Sequence, residues 1–519
     1  MKNTAREEDS LMAQSRSKNA SRNIFFGLLN KIVTIIFPFI VRTVIIYTLG
    51  NEYVGLSSLF TSLLHVLNLS ELGFRSAIVY AMYKPIAEKN SSKVNSLLNE
   101  FKVVYRIVGC VVLFAGFIMS FFLDRLVKGD CPPDVNLYIL FWIYLFNTAI
   151  SYFLFAYKSS LLMANQRRDI ISTVEMVLSI IEYTIQIVLL VLLKNYYAYI
   201  IIVPIYTMAN NIICAIEAKK ICPNYIPDGR LSKDERKDLY SRTGAVLGHK
   251  IGATVINSAD SIVISAFLGL SILGIYSNYY YIMSAVISIF TVVYTSVVPS
   301  IGNSIVTESK EKNYELFLKL NFVSAWLVGF CACCFMCLYQ PFMKVWVGEK
   351  RMLSLTVVVW MVIYFYTWQI RAMGLHFKDA AGMWKQDFWK PYIGAVINVV
   401  TNIILVQKIG LIGALISTII IFVFIYYPWE TKVLFSELFK CSCRKYITDN
   451  LIYLVVTCFV TAICYFLCSI IGIGKPLFQL IVDIVICCVL FNVIFFIIFM
   501  KSKYIEEVKL MAFKAIGKK

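Results

Sequence analysis

Leu49-Gly-Asn-Glu-Tyr-Val-Gly-Leu-Ser-Ser-Leu-Phe60 is followed by Asn68-Leu-Ser-Glu-Leu-Gly-Phe-Arg-Ser-Ala-Ile-Val-Tyr-Ala-Met-Tyr-Lys-Pro-Ile-Ala-Glu-Lys-Asn90. Together they are the densest part of a stretch, 21–101, that reads as two membrane-spanning helices and the basic link behind them. A weaker copy begins at Ser241. Lys31 pairs with Lys250, Leu49-Gly50 with Leu268-Gly269, Gly55 with Gly274, Lys93 with Lys312 and Leu97 with Leu316. All of these pairs keep one offset, 268 minus 49, or 219 residues, with no gap. Both Leu-Gly turns and both basic links therefore fall in register, as in a duplicated membrane module.

Composition agrees. Apolar residues make up 59% of the 519, only 15% are charged, and mean hydropathy is +0.73. A soluble chain of this length exposes more charge, so lipid is the solvent for most of it. The net charge of +18 raises a nucleic-acid partner. The distribution of the charges, flanking apolar spans, argues against one.

Moving outward, about 14 apolar stretches approach the ~20 residues that a helix needs to cross a bilayer. They run 24–49, 55–80, 103–123, 137–163, 170–193 and 197–218, then 243–268, 272–301, 316–339, 353–375, 391–406 and 410–429, then 451–471 and 476–500. The expected class is an all-α polytopic membrane protein with two pseudo-symmetric six-helix bundles and two further C-terminal helices. The expected parts are a disordered cytoplasmic tail 1–20, an N-lobe 21–218, a cytoplasmic linker 219–240 and a C-lobe 241–431. After these come a cytoplasmic link 432–450, the last two spans within 451–500, and a basic cytoplasmic tail 501–519. Six spans per copy is even, so the copies enter the membrane in the same direction. Links after odd-numbered spans hold about 8 of the 49 Lys and Arg, whereas the tails and the other links hold about 34, which places both termini in the cytoplasm.

No soluble catalytic module is visible. The longest links are too short for a folded domain, and there is no Walker loop, GxSxG or HExxH. His65, His249 and His376 follow no metal spacing, and most of the 15 Cys lie inside spans, where packing is the default. The reading is no enzyme, no catalytic residues, no cofactor and no metal.

Polarity inside the spans carries the rest. Glu175, Ser179, Glu182 and Gln186 share one face of span 5. Glu182 sits about 18 Å from the cytoplasmic end, near mid-bilayer. An ionised carboxylate there costs at least ~2.5 kcal/mol, so it faces water, a cation or a partner, or else it is protonated against a neighbouring helix. Span 2 lines up Ser58, Ser62, His65, Asn68, Glu71 and Arg75, with Glu71 and Arg75 spaced as a helical ion pair. Arg42 lies four residues beyond Pro38 and either enters a cavity or snorkels outward. Lys250, Thr254, Asn257, Asp260 and Ser261 mark span 7, and Asn398, Thr401 and Asn402 mark span 11. Trp360, Tyr364, Trp368 and Arg371 share a face of span 10, as a sugar and phosphate platform or as an interfacial aromatic belt.

Tyr47-Thr-Leu-Gly-Asn-Glu-Tyr-Val-Gly-Leu56, Asn68-Leu-Ser-Glu-Leu-Gly-Phe74, Tyr83-Lys-Pro-Ile-Ala-Glu-Lys-Asn90 and Gly410-Leu-Ile-Gly-Ala-Leu-Ile-Ser-Thr418 resemble bacterial polysaccharide repeat-unit flippases of the Wzx type. These belong to the multidrug/oligosaccharidyl-lipid/polysaccharide (MOP) exporter superfamily, whose fold is MATE-like. The resemblance implies a multi-pass protein of the bacterial cytoplasmic membrane. It would flip undecaprenyl-pyrophosphate-linked oligosaccharides to the outer leaflet for capsule, O-antigen or exopolysaccharide assembly, beside glycosyltransferases and a polymerase. Under it, Arg42, His65, Glu71, Arg75, Glu175, Glu182, Lys250 and Arg371 are cavity candidates. Coupling to H⁺ would use Glu182. Coupling to Na⁺ would use Asp260, Asn398, Asn402 and Thr418, by likeness to the lipid II flippase. A lipid II carrier and a drug/cation antiporter of the same superfamily are the alternatives. A lipid-modifying membrane enzyme would need clustered catalytic residues at one face, and none is found.

Overall fold

The computed structural model describes residues 2–68, 74–129, 131–472, 474–502 and 504–505, with side chains from Arg22 onward except 24, 28, 242–247 and 249. The basic tail from 506 lies outside the described residues. Among those described there is no strand.

The helices are α1 (Lys2–Thr48), α2 (Asn51–Leu67), α3 (Phe74–Ala87), α4 (Ser91–Ser120), α5 (Leu137–Phe153), α6 (Ser159–Ala164), α7 (Arg168–Leu193), α8 (Tyr196–Ile221, broken at Ile201) and α9 (Lys233–Leu268). Then come α10 (Leu270–Thr307), α11 (Lys310–Trp346), α12 (Leu355–Ala380, broken at Ile370-Arg371), α13 (Lys390–Ile409), α14 (Leu411–Phe439), α15 (Arg444–Ile470) and α16 (Pro476–Ile498). Among the described residues 12 helices are long and apolar enough to cross a membrane, or 13 counting α5 and α6 as one span bent by 52°. Of the expected span 55–80, the part up to 67 lies in α2 and the part from 74 in α3, and residues 69–73 between them lie outside the described residues. The helix α1 begins at Lys2, so 2–20 continue the first span where an unordered tail is expected. Their Ala, Glu, Leu, Met, Gln and Lys are good helix formers.

Helix α4 shows which solvent these helices face. It buries Tyr105, Val108 and Val112, while Val103, Ile107, Val111, Phe114 and Ile118 on the other side are exposed. A helix apolar on both faces suits a bilayer and not water.

The chain divides into two compact units, 1–274 and 275–519. In the first, α1 lies along α7, α4 along α5, and α8 between α7 and α5. The helix α9, expected to open the C-lobe at 241, packs instead on α2 and α3 and belongs to this first unit. The 219-residue repeat marks a further contact, between α2 and the head of α10. A Cβ on Gly55 of α2 would strike the carbonyl of Leu270, and a Cβ on Gly274 would strike the carbonyl of Asn51. Asn51 and Leu270 are themselves repeat partners, so the two close approaches are mirror copies of one. Gly55→Ala and Gly274→Ala are each expected to destabilise by about 1–3 kcal/mol through overpacking. The two losses of thermal stability in detergent should be alike; a loss in only one would break the pairing.

The linker 219–240 is fastened to the start of α4. Arg236 pairs with Glu100 at 2.7 Å, Tyr240 donates to Glu100 at 3.0 Å, and Asn99 donates to the Gly229 carbonyl at 2.8 Å. Ser232 and Glu235 close a capping box at the head of α9. Lys93 beside Glu235 holds that carboxyl down at about 2.

In the second unit α11 is the central helix, packed by α12, α15 and α16, while α13 and α14 form a hairpin. Three π-helical segments interrupt α14 and α16, at Ile421–Tyr426, Leu434–Phe439 and Cys487–Phe491. Such turns re-aim the side chains that follow.

Candidate functional site: a polar helix face in the first unit and a buried charge network in the second

The buried residues of α7 are Asp169, Ser172, Ser179, Glu182, Gln186 and Leu190, whereas Val177, Ile181, Ile185, Val188 and Leu192 are exposed. This helix is polar inside and apolar outside. The polar face runs about 20 Å from Asp169 to Glu182. Burying such groups is tolerated only where partners satisfy them. At the head, Arg22 pairs with Asp169 at 2.8 Å and Arg167 with it at 3.1 Å. Further along, Asn30 of α1 donates to Glu175 at 2.9 Å, and Arg75 of α3 lies within electrostatic range of Glu175. The Arg75 Nε donates to the Tyr105 hydroxyl at 3.0 Å. Ser179 donates to Tyr206 at 3.3 Å.

Deepest is Glu182, 7% exposed, which accepts from Gln186 Nε2 at 3.3 Å. One amide leaves most of a carboxylate's acceptor capacity to others. Tyr199 of α8 lies within electrostatic range of both Glu182 and Arg42, and Tyr206 of both Glu175 and Glu182. The structure therefore gathers Arg42, Arg75, Glu175 and Glu182 around α7. It adds Asn30, and also Tyr199 and Tyr206, which the sequence did not single out among 32 tyrosines. His65 is exposed on α2. Lys250 is half-buried on α9. Glu71 lies outside the described residues.

The second unit holds charge of a different kind. Arg371 sits at the break in α12 and donates through Nη1 to both oxygens of Glu430, at 2.8 and 3.1 Å. Lys390 reaches Glu430 and Asp387, each at 2.7 Å, and Lys378 reaches Asp387 at 2.8 Å. The Arg371 guanidinium also lies over Phe422 and Tyr426, with ring centroids at 4.6 and 5.1 Å. All five charged residues are nearly inaccessible. Arg371, read as an anion binder, is thus committed to a carboxylate and two rings, and the four partners are missed by sequence because they lie 7 to 59 residues away. Trp368 and Tyr364 pack against each other and on Phe422 rather than forming an open platform.

Of the sodium candidates, Asn398 Nδ2 donates to Thr418 Oγ1 at 2.9 Å, and Asn402 is one turn along α13, with all three buried. The Asn398 Oδ1 is buried without a hydrogen-bond partner. Asp260 is buried on α9 and so belongs to the first unit. A pocket of about 570 Å³ opens in the second unit, lined by Val359, Ile363, Val423, Leu451 and Leu454 and almost entirely apolar.

Solved structures share this fold at low identity. The lipid II flippase MurJ in an inward closed conformation matches over 92% of this chain and 99% of its own, at 15% identity and a TM-score of 0.61. An inward-facing multidrug resistance MATE family transporter of the MOP superfamily matches over 78% and 95%, at 12% identity and a TM-score of 0.59. The Vibrio cholerae MATE transporter VcmN matches over 82% and 100%, at 12% identity and a TM-score of 0.55. No curated protein matches the sequence. The profile described as "Polysaccharide biosynthesis protein" matches residues 20–304, more than half of the chain. This multi-pass membrane protein, MATE-like in fold, belongs to the polysaccharide biosynthesis protein family.

Proposed function

We propose that this protein flips an undecaprenyl-pyrophosphate-linked oligosaccharide from the inner to the outer leaflet of a bacterial cytoplasmic membrane, with both termini in the cytoplasm. The observation that carries the reading is the inward polar face of α7, with Glu182 and Arg42 sharing Tyr199 as neighbour. A pyrophosphate and its sugars cannot cross hydrocarbon unaided, and a hydrated, charged path replaces their lost water. Arg42 and Arg75 offer planar forks to phosphate oxygens. Asn30, Tyr199 and Tyr206 add neutral donors that suit sugar hydroxyls. The apolar pocket of the second unit suits a prenyl chain that stays in lipid. Glycosyltransferases would supply the substrate and a polymerase would consume it.

Two couplings have separate supports. Glu182 suits a proton, because its one hydrogen-bond partner on α7 leaves capacity for protonation. The buried Asn398 oxygen beside Thr418 suits Na⁺, which takes oxygen ligands in such carriers. Reconstituted protein driven by a pH gradient alone, then by a sodium gradient alone, separates them. Loss of the proton response in Glu182→Gln assigns proton coupling. Loss of the sodium response in Asn398→Ala, with Glu182 intact, assigns sodium. Transport indifferent to both gradients contradicts ion coupling altogether.

A further inference from the structure

Several cysteines that the proposed transport does not use converge in the second unit. Cys333 and Cys337 are one turn apart on α11, Cys464 and Cys468 one turn apart on α15, and Cys487 opens the π-helical turn of α16. The sulfurs of Cys333, Cys337 and Cys487 lie within 4.8 Å of one another, and all three residues are buried. Around this triangle, Cys333 also meets Cys464, and Cys468 meets both Cys337 and Cys487.

Packing alone accounts for single cysteines in a core. It does not ask that three helices each aim thiols at one point. Three sulfurs bound to one ion at ~2.3 Å stand about 4 Å apart, so the triangle has close to the size of a trigonal metal site. The donors are all sulfur, with no imidazole and no carboxylate in the triangle, and such a set selects soft d¹⁰ ions. Coordination number chooses among them. Zinc closes a tetrahedron of four ligands, whereas three sulfurs at the corners of one triangle make a three-coordinate site, which suits a monovalent soft ion. We propose that Cys333, Cys337 and Cys487, backed by Cys464 and Cys468, form a binding site for a monovalent soft metal ion, cuprous copper being the common one. Binding releases the protons of the ligating thiols and ties α15 and α16 to the central helix α11.

The test uses the full chain, reduced and purified anaerobically in detergent, with Cu(I) presented by a chromogenic chelator. One ion per chain should be withheld from the chelator, with only sulfur neighbours in its X-ray absorption spectrum. The triple variant C333A/C337A/C487A should bind about 100-fold more weakly or worse, whereas C110A/C441A should bind as the wild type does. If the triple variant does not fold, Cys487→Ala serves, with Cu(I) raising the Tm of the wild type but not of the variant. No copper withheld by the wild type, or retention unchanged in Cys487→Ala, overturns the proposal and leaves the cluster as packing.

Discussion

Arg42→Ala and Glu182→Gln should each lower surface polysaccharide roughly tenfold or more in cells that lack the native gene, at undiminished protein level. The two changes remove charge at a depth where charge is costly, so they should not impair insertion. Arg42→Lys keeps the charge but loses the planar fork, and should retain part of the activity. Glu182→Gln keeps size and hydrogen bonding, so its loss would belong to ionisation. Membrane protein level is measured beside the polysaccharide. Normal polysaccharide from both variants at equal level would show that these groups do not carry transport. Loss that follows protein level would assign them to the fold.

The second large effect is the opposite in kind. Glu430 holds Arg371 and Lys390 in a buried network, and removing one member leaves uncompensated buried charge. Breaking a buried pair typically costs about 3–5 kcal/mol. Glu430→Ala should therefore sharply reduce accumulation and Tm. The double variant Arg371→Met/Glu430→Met should recover part of that loss, because it removes both charges and keeps apolar volume against Phe422 and Tyr426. A stable Glu430→Ala protein, or a double variant worse than the sum of its singles, would contradict the structural reading and return Arg371 to the ligand-binding candidates.

These two sites show how far the sequence could be read. The stripe on α7 was legible because its members share one helix, and the 3.6-residue period places them on one face. Apolar length gave the helices, and the 219-residue offset gave the repeat and the paired glycines. What joins separate helices was not legible. The partners of Arg371 lie on α12, α13 and α14 and before α13, and no period links them. Tyr199 is one aromatic among many until α8 brings it near Glu182. The placement of α9 with the first unit follows from its packing on α2 and α3, and α2 also crosses the head of α10 closely at Gly55 and Gly274; a hydropathy count registers neither.

The cysteines lie between these cases. The pairs at i, i+4 on α11 and α15 could be counted along the chain, but their convergence with Cys487 required the packing of α16. Their order in sequence resembles no metal motif.

The most direct test of the account is flipping itself. Purified protein is placed in liposomes with a fluorescent undecaprenyl-pyrophosphate oligosaccharide in one leaflet, and a membrane-impermeant reagent reads its arrival in the other. The account predicts gradient-driven arrival with the wild type, little with Glu182→Gln or Arg42→Ala, and none for the same glycan without its lipid-pyrophosphate anchor. Equal arrival with wild type and both variants, or no arrival above empty liposomes under any gradient, would contradict it.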